Sequence, residues 1–288
     1  MTHNRLSFDQ LLAQAHQHRR VILMDGALGT MLLQLGLNMH SQATFEWNRD
    51  YPDRVQQVHR HYYHAGAIIH SANSFACHLP LAATRALNLQ ILRERYSQAA
   101  AVVGQCLPDN VYILGCVGTL QAHSIAYARM MGQALSSCPS FDAVLLETQT
   151  NLATVENWAE GFLSECRLPL LISFIPMLSD RSEVAPDVIA QWAEANADRI
   201  LALGVNCGPN PALSVYTEVL QRYRRMTQLP LFVRPSISAS PGSFGWAAAI
   251  EAWHQAGACM IGGCCGTEPM DIARMYQYLR DQDLLVQG

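Results

Sequence analysis

Near the end of the chain, Gly262-Gly263-Cys264-Cys265-Gly266 sets two thiols side by side between glycines, and a third thiol stands in Gly204-Val205-Asn206-Cys207-Gly208. On a regular strand neighbouring side chains point to opposite faces. The Cys264–Cys265 pair can therefore face one cavity only where the backbone leaves strand geometry, which the flanking glycines permit. Three thiolates converging on one rim make a half-closed tetrahedral site with one corner open to water or substrate, and soft sulfur favours zinc over magnesium or calcium. Other readings stand beside this one: cysteines that merely pack, a vicinal Cys264–Cys265 disulfide, or a ligand set that draws on Cys77 or Cys116. Cys106, Cys138, Cys166 and Cys259 read as small core residues.

Two carboxylates add a second constraint. Asp25 follows the apolar run at 21–24 and Glu147 the run at 143–146, so each sits at the edge of a core where an unpaired charge is expensive. A cation must compensate them: either a ligand ammonium or an internal partner among Arg49, Arg129 and Arg234. Asp25-Gly26-Ala27-Leu28-Gly29-Thr30 is a glycine-containing turn into a helix whose N–H groups could hold a carboxylate. It lacks the GxGxxG pattern of dinucleotide sites. Of the 11 histidines, His16, His18, His59, His61 and His64 fall within expected helices away from any strand end, whereas His70 and His123 are nearer and stand as acid–base candidates. Phe45 and Trp47 could cover a cationic substrate.

The elements that must position these groups recur along the chain. Short apolar runs occur at Val21 to Met24, Ala67 to His70, Val111 to Leu114, Ala143 to Leu146, Leu170 to Phe174, Ala202 to Val205, Leu231 to Val233 and Cys259 to Ile261, separated by helix-like stretches. Near-continuous apolar strands suit a parallel sheet covered on both faces. Helices are expected from Pro52 to Gly66, with Val55, Val58 and Tyr62 as an apolar stripe, and over 84–104 and 211–226. Eight such units favour a single-domain α/β fold of the (β/α)8 TIM type across residues 1–288, with an open α/β sheet as the alternative. Residues 1–19 form an N-terminal helical extension, capped at Ser7, across the barrel's N-terminal end. In such a barrel the working residues lie at the C-terminal strand ends, which selects Asp25, Asn73, Cys116, Glu147, Asn206, Cys207 and the 262–266 segment.

Composition narrows the classes of partner. Half of the 288 residues are apolar, 15% are charged and the net charge is −4, so there is no electrostatic footprint for nucleic acid. No apolar run approaches the roughly 18 residues of a membrane span, and the opening stretch has no secretory hydrophobic segment. A cytoplasmic location with no membrane partner is expected. Nine cysteines, two of them adjacent, suit no disulfide framework.

The motifs at 24–30 (MDGALGT), 61–75 (HYYHAGAIIHSANSF), 145–148 (LLET), 204–208 (GVNCG) and 262–272 (GGCCGTEPMDI) together resemble the homocysteine S-methyltransferase family. That family includes S-methylmethionine and betaine enzymes and the homocysteine-binding module of cobalamin-dependent methionine synthase. The resemblance runs in order from about residue 20 to residue 275. It implies a (β/α)8 barrel with zinc on Cys207, Cys264 and Cys265, and Asp25 and Glu147 holding the amino group of homocysteine. It also implies that backbone amides around Ala27 and Leu28 hold the substrate carboxylate and that Asn73 and Asn206 order the site.

The implied reaction is methyl transfer from an onium donor to the homocysteine thiol, giving methionine, with S-methylmethionine the favoured donor. Betaine, S-adenosylmethionine or a corrinoid protein partner are the other donors. These residues leave no room for a cobalamin-binding domain, so transfer from methyltetrahydrofolate calls for a separate protein. The sequence departs from the family pattern in two mouth segments, 174–188 and 234–246. After the seventh strand, where a PN-containing and often tyrosine-bearing segment is usual, it reads RPSISASPGSFGW. A barrel that kept the metal and lost donor binding, and a zinc-independent lyase, are the competing functions.

Overall fold

The computed structural model describes residues 5–79, 88–121, 124–178, 184–208 and 212–286. After helix α1 (Phe8–Gln17) come β1 (Ile22–Leu23), α2 (Leu28–Gln34), α3 (Trp47–Asp50), α4 (Pro52–His64), β2 (Ile69–Ser71) and α5 (Leu89–Gly104). The chain continues through β3 (Tyr112–Val117), α6 (Ile125–Ser136), β4 (Ala143–Gln149), α7 (Leu152–Glu165), β5 (Leu170–Phe174), α8 (Pro186–Ala195) and β6 (Ile200–Cys207). It ends with α9 (Leu213–Met226), β7 (Leu231–Pro235), α10 (Gly242–Gln255), β8 (Ala258–Ile261) and α11 (Pro269–Asp281). All eight strands are parallel neighbours in the order β1-β8-β7-β6-β5-β4-β3-β2. A parallel bridge between Met24 and Ile69, with the Asp25 N–H donating to the Ile69 carbonyl at 2.9 Å, closes the ring. The molecule is a single α/β domain of the (β/α)8 type, and the open-sheet alternative is excluded.

Alternation along the strands sorts the residues into two cores. One set, including Leu23, Val144, Leu146, Ile172, Val205 and Val233, packs outward against the helices. The other set points inward: Ile22 and Met24, Ile69, Tyr112 and Leu114, Ala143 and Leu145, Leu171, Ala202, Phe232 and Met260. Gly204 belongs to this inward face because a Cβ there would lie 2.4 Å from the Phe232 ring; the missing side chain lets the phenyl group fill the barrel axis. Helix α1 plugs the N-terminal end, burying Phe8, Leu11, Leu12 and Ala15 against the same inward set. Its first turn is fastened by the Ser7 N–H donating to Gln10 Oε1 at 3.1 Å.

Several boundaries differ from the sequence reading. Strands β3, β4 and β6 run past their apolar runs, to Val117, Gln149 and Cys207, so Cys116, Glu147, Asn206 and Cys207 lie within strands rather than in loops. The cause is that a ladder is built from backbone groups: Cys116 pairs Leu145, Asn206 pairs Arg234 and Cys207 pairs Pro235, whatever their side chains. The helix expected over 84–104 begins at Leu89, where the Asn88 side chain caps it by accepting from the Ile91 N–H. Residues 84–87 lie outside the described residues.

Candidate active site

Following each strand upward by twos leads from apolar residues to polar ones on the same inward face. Leu114 gives way to Cys116, Leu145 to Glu147, Leu171 to Ser173, Phe232 to Arg234 and Ile69 to Ser71. These residues and the turns above them enclose a cavity of about 270 Å³, lined by the 26–30 turn, Met39, Thr44, Asn73, Phe75, Glu147, Arg234 and the three cysteines of the rim.

Cys207, Cys264 and Cys265 converge, with one sulfur from each lying within 4.8 Å of the others and the Cys207 and Cys265 sulfurs 3.9 Å apart. Strand β8 stops at Ile261, and the two glycines after it carry the chain off the strand before the cysteine pair. Gly266 adopts φ +81° with the Ile237 carbonyl oxygen 2.0 Å from where a Cβ would sit, so a side chain is barred there twice over. Cys207 takes φ +57° without being glycine. The Tyr216 hydroxyl holds it there by donating to the Cys207 carbonyl and accepting from the Ser236 N–H at 2.9 Å. Sulfurs bound tetrahedrally at about 2.3 Å from zinc lie about 3.8 Å apart, close to the spacing seen, so the donor set fits that ion. Hydrogen bonds from Cys264 and Cys265 hold the Cys207 thiol below its ordinary pKa, and a thiolate there pushes the other two up.

The carboxylates have an internal cation. Arg234 donates from Nη2 to Asp25 Oδ1 at 3.0 Å, from Nη1 to Glu147 Oε2 at 3.2 Å and from Nε to the Gly263 carbonyl at 3.2 Å. Asp25 also accepts from the Ser71 N–H at 2.7 Å and the Ser71 hydroxyl at 3.0 Å. Burial pushes Asp25 up to about 6, with Arg234 and Ser71 opposing it, and burial likewise raises Glu147. Burial works against the charge on Arg234, but Glu147 and Asp25 outweigh it and hold the guanidinium above its usual range. Of the two carboxylates only Glu147 reaches the cavity wall, since Asp25 is fully buried behind it.

The two asparagines are structural hubs at this rim. Asn206 Oδ1 accepts from the Thr148 N–H at 2.9 Å and the Ser173 hydroxyl at 2.8 Å, while its Nδ2 donates to Thr148 Oγ1 at 2.9 Å and lies 3.4 Å from Glu147 Oε2. This fixes a bulge in β4 at which Thr148 adopts φ +63°. Asn73 donates to the Thr44 carbonyl at 2.7 Å and to Asn48 Oδ1 at 3.0 Å, fastening the 38–46 segment over the cavity.

Other expected roles fall differently. The Ala27 N–H donates to the Thr267 carbonyl at 3.0 Å and the Leu28 N–H to the Gly26 carbonyl at 3.1 Å, so both amides already have acceptors, although both residues line the cavity. His70 is buried beneath the cavity, with Nε2 against the Ala67 carbonyl at 3.1 Å, and burial pushes it down to about 4. It therefore faces the interior of the fold rather than the mouth. His59 packs beside it, pushed to about 3, and the two rings stand behind Asp25, each offering a nitrogen within 4.8 Å of a carboxylate oxygen. His123 lies outside the described residues. Phe45 and Trp47 are engaged by the protein's own cations, Arg95 at 4.5 Å and Arg54 at 5.3 Å, because their rings turn inward to pack. The aromatic wall is Phe75, and Gly118 leaves room for its ring. Cys116 lines the cavity outside the three-sulfur group, Cys77 is buried, and all nine cysteines are free, so there is no vicinal disulfide.

The family model for homocysteine S-methyltransferase matches residues 22–279. The homocysteine S-methyltransferase of Escherichia coli (strain K12) is 28% identical over 88% of this chain and 94% of its own length. The methionine synthase of Mycobacterium leprae is 23% identical over 87% of this chain but only 24% of its own length. Crystal structures of the homocysteine methyltransferase MmuM from Escherichia coli in apo and metallated forms superpose with TM-scores of 0.73 and 0.76, at 25% and 24% identity. Each covers 93% of this chain and 99% of the other.

Proposed function

The chain belongs to the homocysteine S-methyltransferase family, and we propose that it moves a methyl group from an onium donor, S-methylmethionine being favoured, to the sulfur of a homocysteine-type thiol at the three-cysteine rim. The observation that carries this reading is the convergence of Cys207, Cys264 and Cys265 within 4.8 Å at the edge of the cavity. Cys207, Cys264 and Cys265 would hold zinc. When bound, zinc supplies a Lewis acid that keeps an added alkyl thiol, whose ordinary pKa is roughly 8.5, in its nucleophilic thiolate form at neutral pH.

The chain's own residues do the rest. The rim fixes the position of the acceptor sulfur, and the 26–30 turn lines the cavity beside it. Glu147, the carboxylate at the wall, faces the acceptor's polar end, while Asn206 and Arg234 hold it in place. In the transfer, a sulfur electron pair forms the new S–CH3 bond. The electrons of the broken donor bond return to the leaving sulfur or nitrogen, which departs neutral, and the thiol proton goes to solvent. Because the acceptor reacts as thiolate, no general base is needed in the methyl-transfer step itself.

Zinc analysis of protein purified without added metal should give about one ion per chain. Incubation with homocysteine and S-methylmethionine should give methionine, with betaine, S-adenosylmethionine and a methylated corrinoid protein as the comparison donors. Metal-free protein with full activity would refute the assignment.

A further inference from the structure

The cation that two buried carboxylates require is supplied here by the protein itself, from the floor of the acceptor pocket. Arg234 spends three of its N–H donors on Asp25, Glu147 and the Gly263 carbonyl, and its side chain is only 4% exposed. Asp25 accepts three hydrogen bonds from Ser71 and Arg234 and has no face on the cavity. An acceptor ammonium arriving in this pocket therefore meets a guanidinium already seated between the two acids. It has at most the remaining oxygen of Glu147 to pair with, and it arrives as a like charge beside Arg234. Conversely, an acceptor without an amino group leaves both carboxylates hydrogen-bonded to Arg234, so neither acid is stripped of its partner, the step that is costly in a buried ion pair, although the three groups together keep a net charge of −1.

We infer that Arg234 is a specificity-determining residue that makes the amino group of the acceptor dispensable, so that this site accepts amine-free mercaptocarboxylates as well as or better than the corresponding amino thiol. The inference rests on the reading of the pocket as a thiol-acceptor site and deepens it by naming the acceptor class.

The test compares homocysteine with 4-sulfanylbutanoate, the same molecule lacking the amine. Calorimetric Kd values are measured on the metal-loaded protein, followed by methylation of each thiol with S-methylmethionine. Wild-type protein should bind the two within about threefold, or prefer the amine-free thiol. In Arg234→Met, where an ammonium can take the vacated place between the acids, homocysteine should become the tighter ligand by about 30-fold or more, the scale of a buried charge pair. Wild-type protein that binds homocysteine 30-fold more tightly than 4-sulfanylbutanoate overturns the inference while leaving the proposed activity standing. Binding of neither thiol overturns both. The wild-type ratio decides the matter even where Arg234→Met is too unstable to purify.

Discussion

The two ends of the barrel are made by the same strands and follow opposite rules. At the N-terminal end the inward positions are Ile22, Ile69, Tyr112, Ala143, Leu171 and Phe232, sealed by Leu11, Leu12 and Ala15 of α1. At the C-terminal end the inward positions of strands β2 to β7, two or four residues beyond Ile69, Tyr112, Ala143, Leu171, Ala202 and Phe232, are Ser71, Cys116, Glu147, Ser173, Asn206 and Arg234, every one of them hydrogen-bonded or facing the cavity. Apolar contact at the floor needs no directional partner, so it tolerates exchange of one hydrophobe for another at constant volume. Buried polar groups at the mouth are stable only as a completed set. Stability can therefore be drawn from one end while the other is committed to chemistry.

The sharpest way to break this division is at the rim. Cys207→Ala should remove zinc and lower methyl transfer by about a thousandfold or more, equivalent to roughly 4 kcal/mol of barrel-mouth activation. Metal analysis alongside methionine formation checks it, and full activity in the metal-free variant would end the proposal. Arg234→Met tests whether the mouth also carries stability. Stripping the cation from two buried acids should cost about 3–5 kcal/mol, read from urea denaturation, and should cost clearly less in Asp25→Asn/Arg234→Met, where one acid has been neutralised.

At the opposite end, Leu12→Ala opens a cavity where α1 meets the barrel floor and should cost about 2–5 kcal/mol with kcat/KM unchanged. A loss of activity exceeding the loss of folded protein would show that the ends are coupled. The smallest effect belongs to the histidines between them. Burial holds His59 at about 3 in the folded chain against 6.5 when unfolded. The stability it contributes is thus complete above pH 6.5 and is lost as pH falls toward 3. The expected loss is about 2 kcal/mol by pH 5, and His59→Gln should flatten the stability–pH curve across that window.

Much of this was legible in the chain, and the reasons are local. Each apolar run reports a strand because a strand buried on both faces has no other composition available. The glycines around Cys264 and Cys265 report a departure from strand geometry because only they leave room for it. Ser71 and Ser173 were missed, yet they sit two residues beyond Ile69 and Leu171 on the inward face, so extending the alternation past the apolar run would have found them. The left-handed backbone at Thr148 and Cys207 carried no such signal, since neither residue type favours it. Phe45 and Trp47 misled because a ring reads the same in sequence whether it covers a ligand or packs beneath a loop.

The sequence by itself determined the barrel and the three sulfurs, because strand period, glycine freedom and the softness of thiolate are properties of short stretches of chain. Only the tertiary structure decided which cation answers the two acids. Arg234 stands 209 positions from Asp25 and 87 from Glu147, and nothing nearby in the chain separates it from Arg49 or Arg129 as their partner. The ladder from β4 through β5 and β6 to β7, and from β7 through β8 to β1, brings the three together, and the cost of leaving a buried charge unanswered then fixes the pairing.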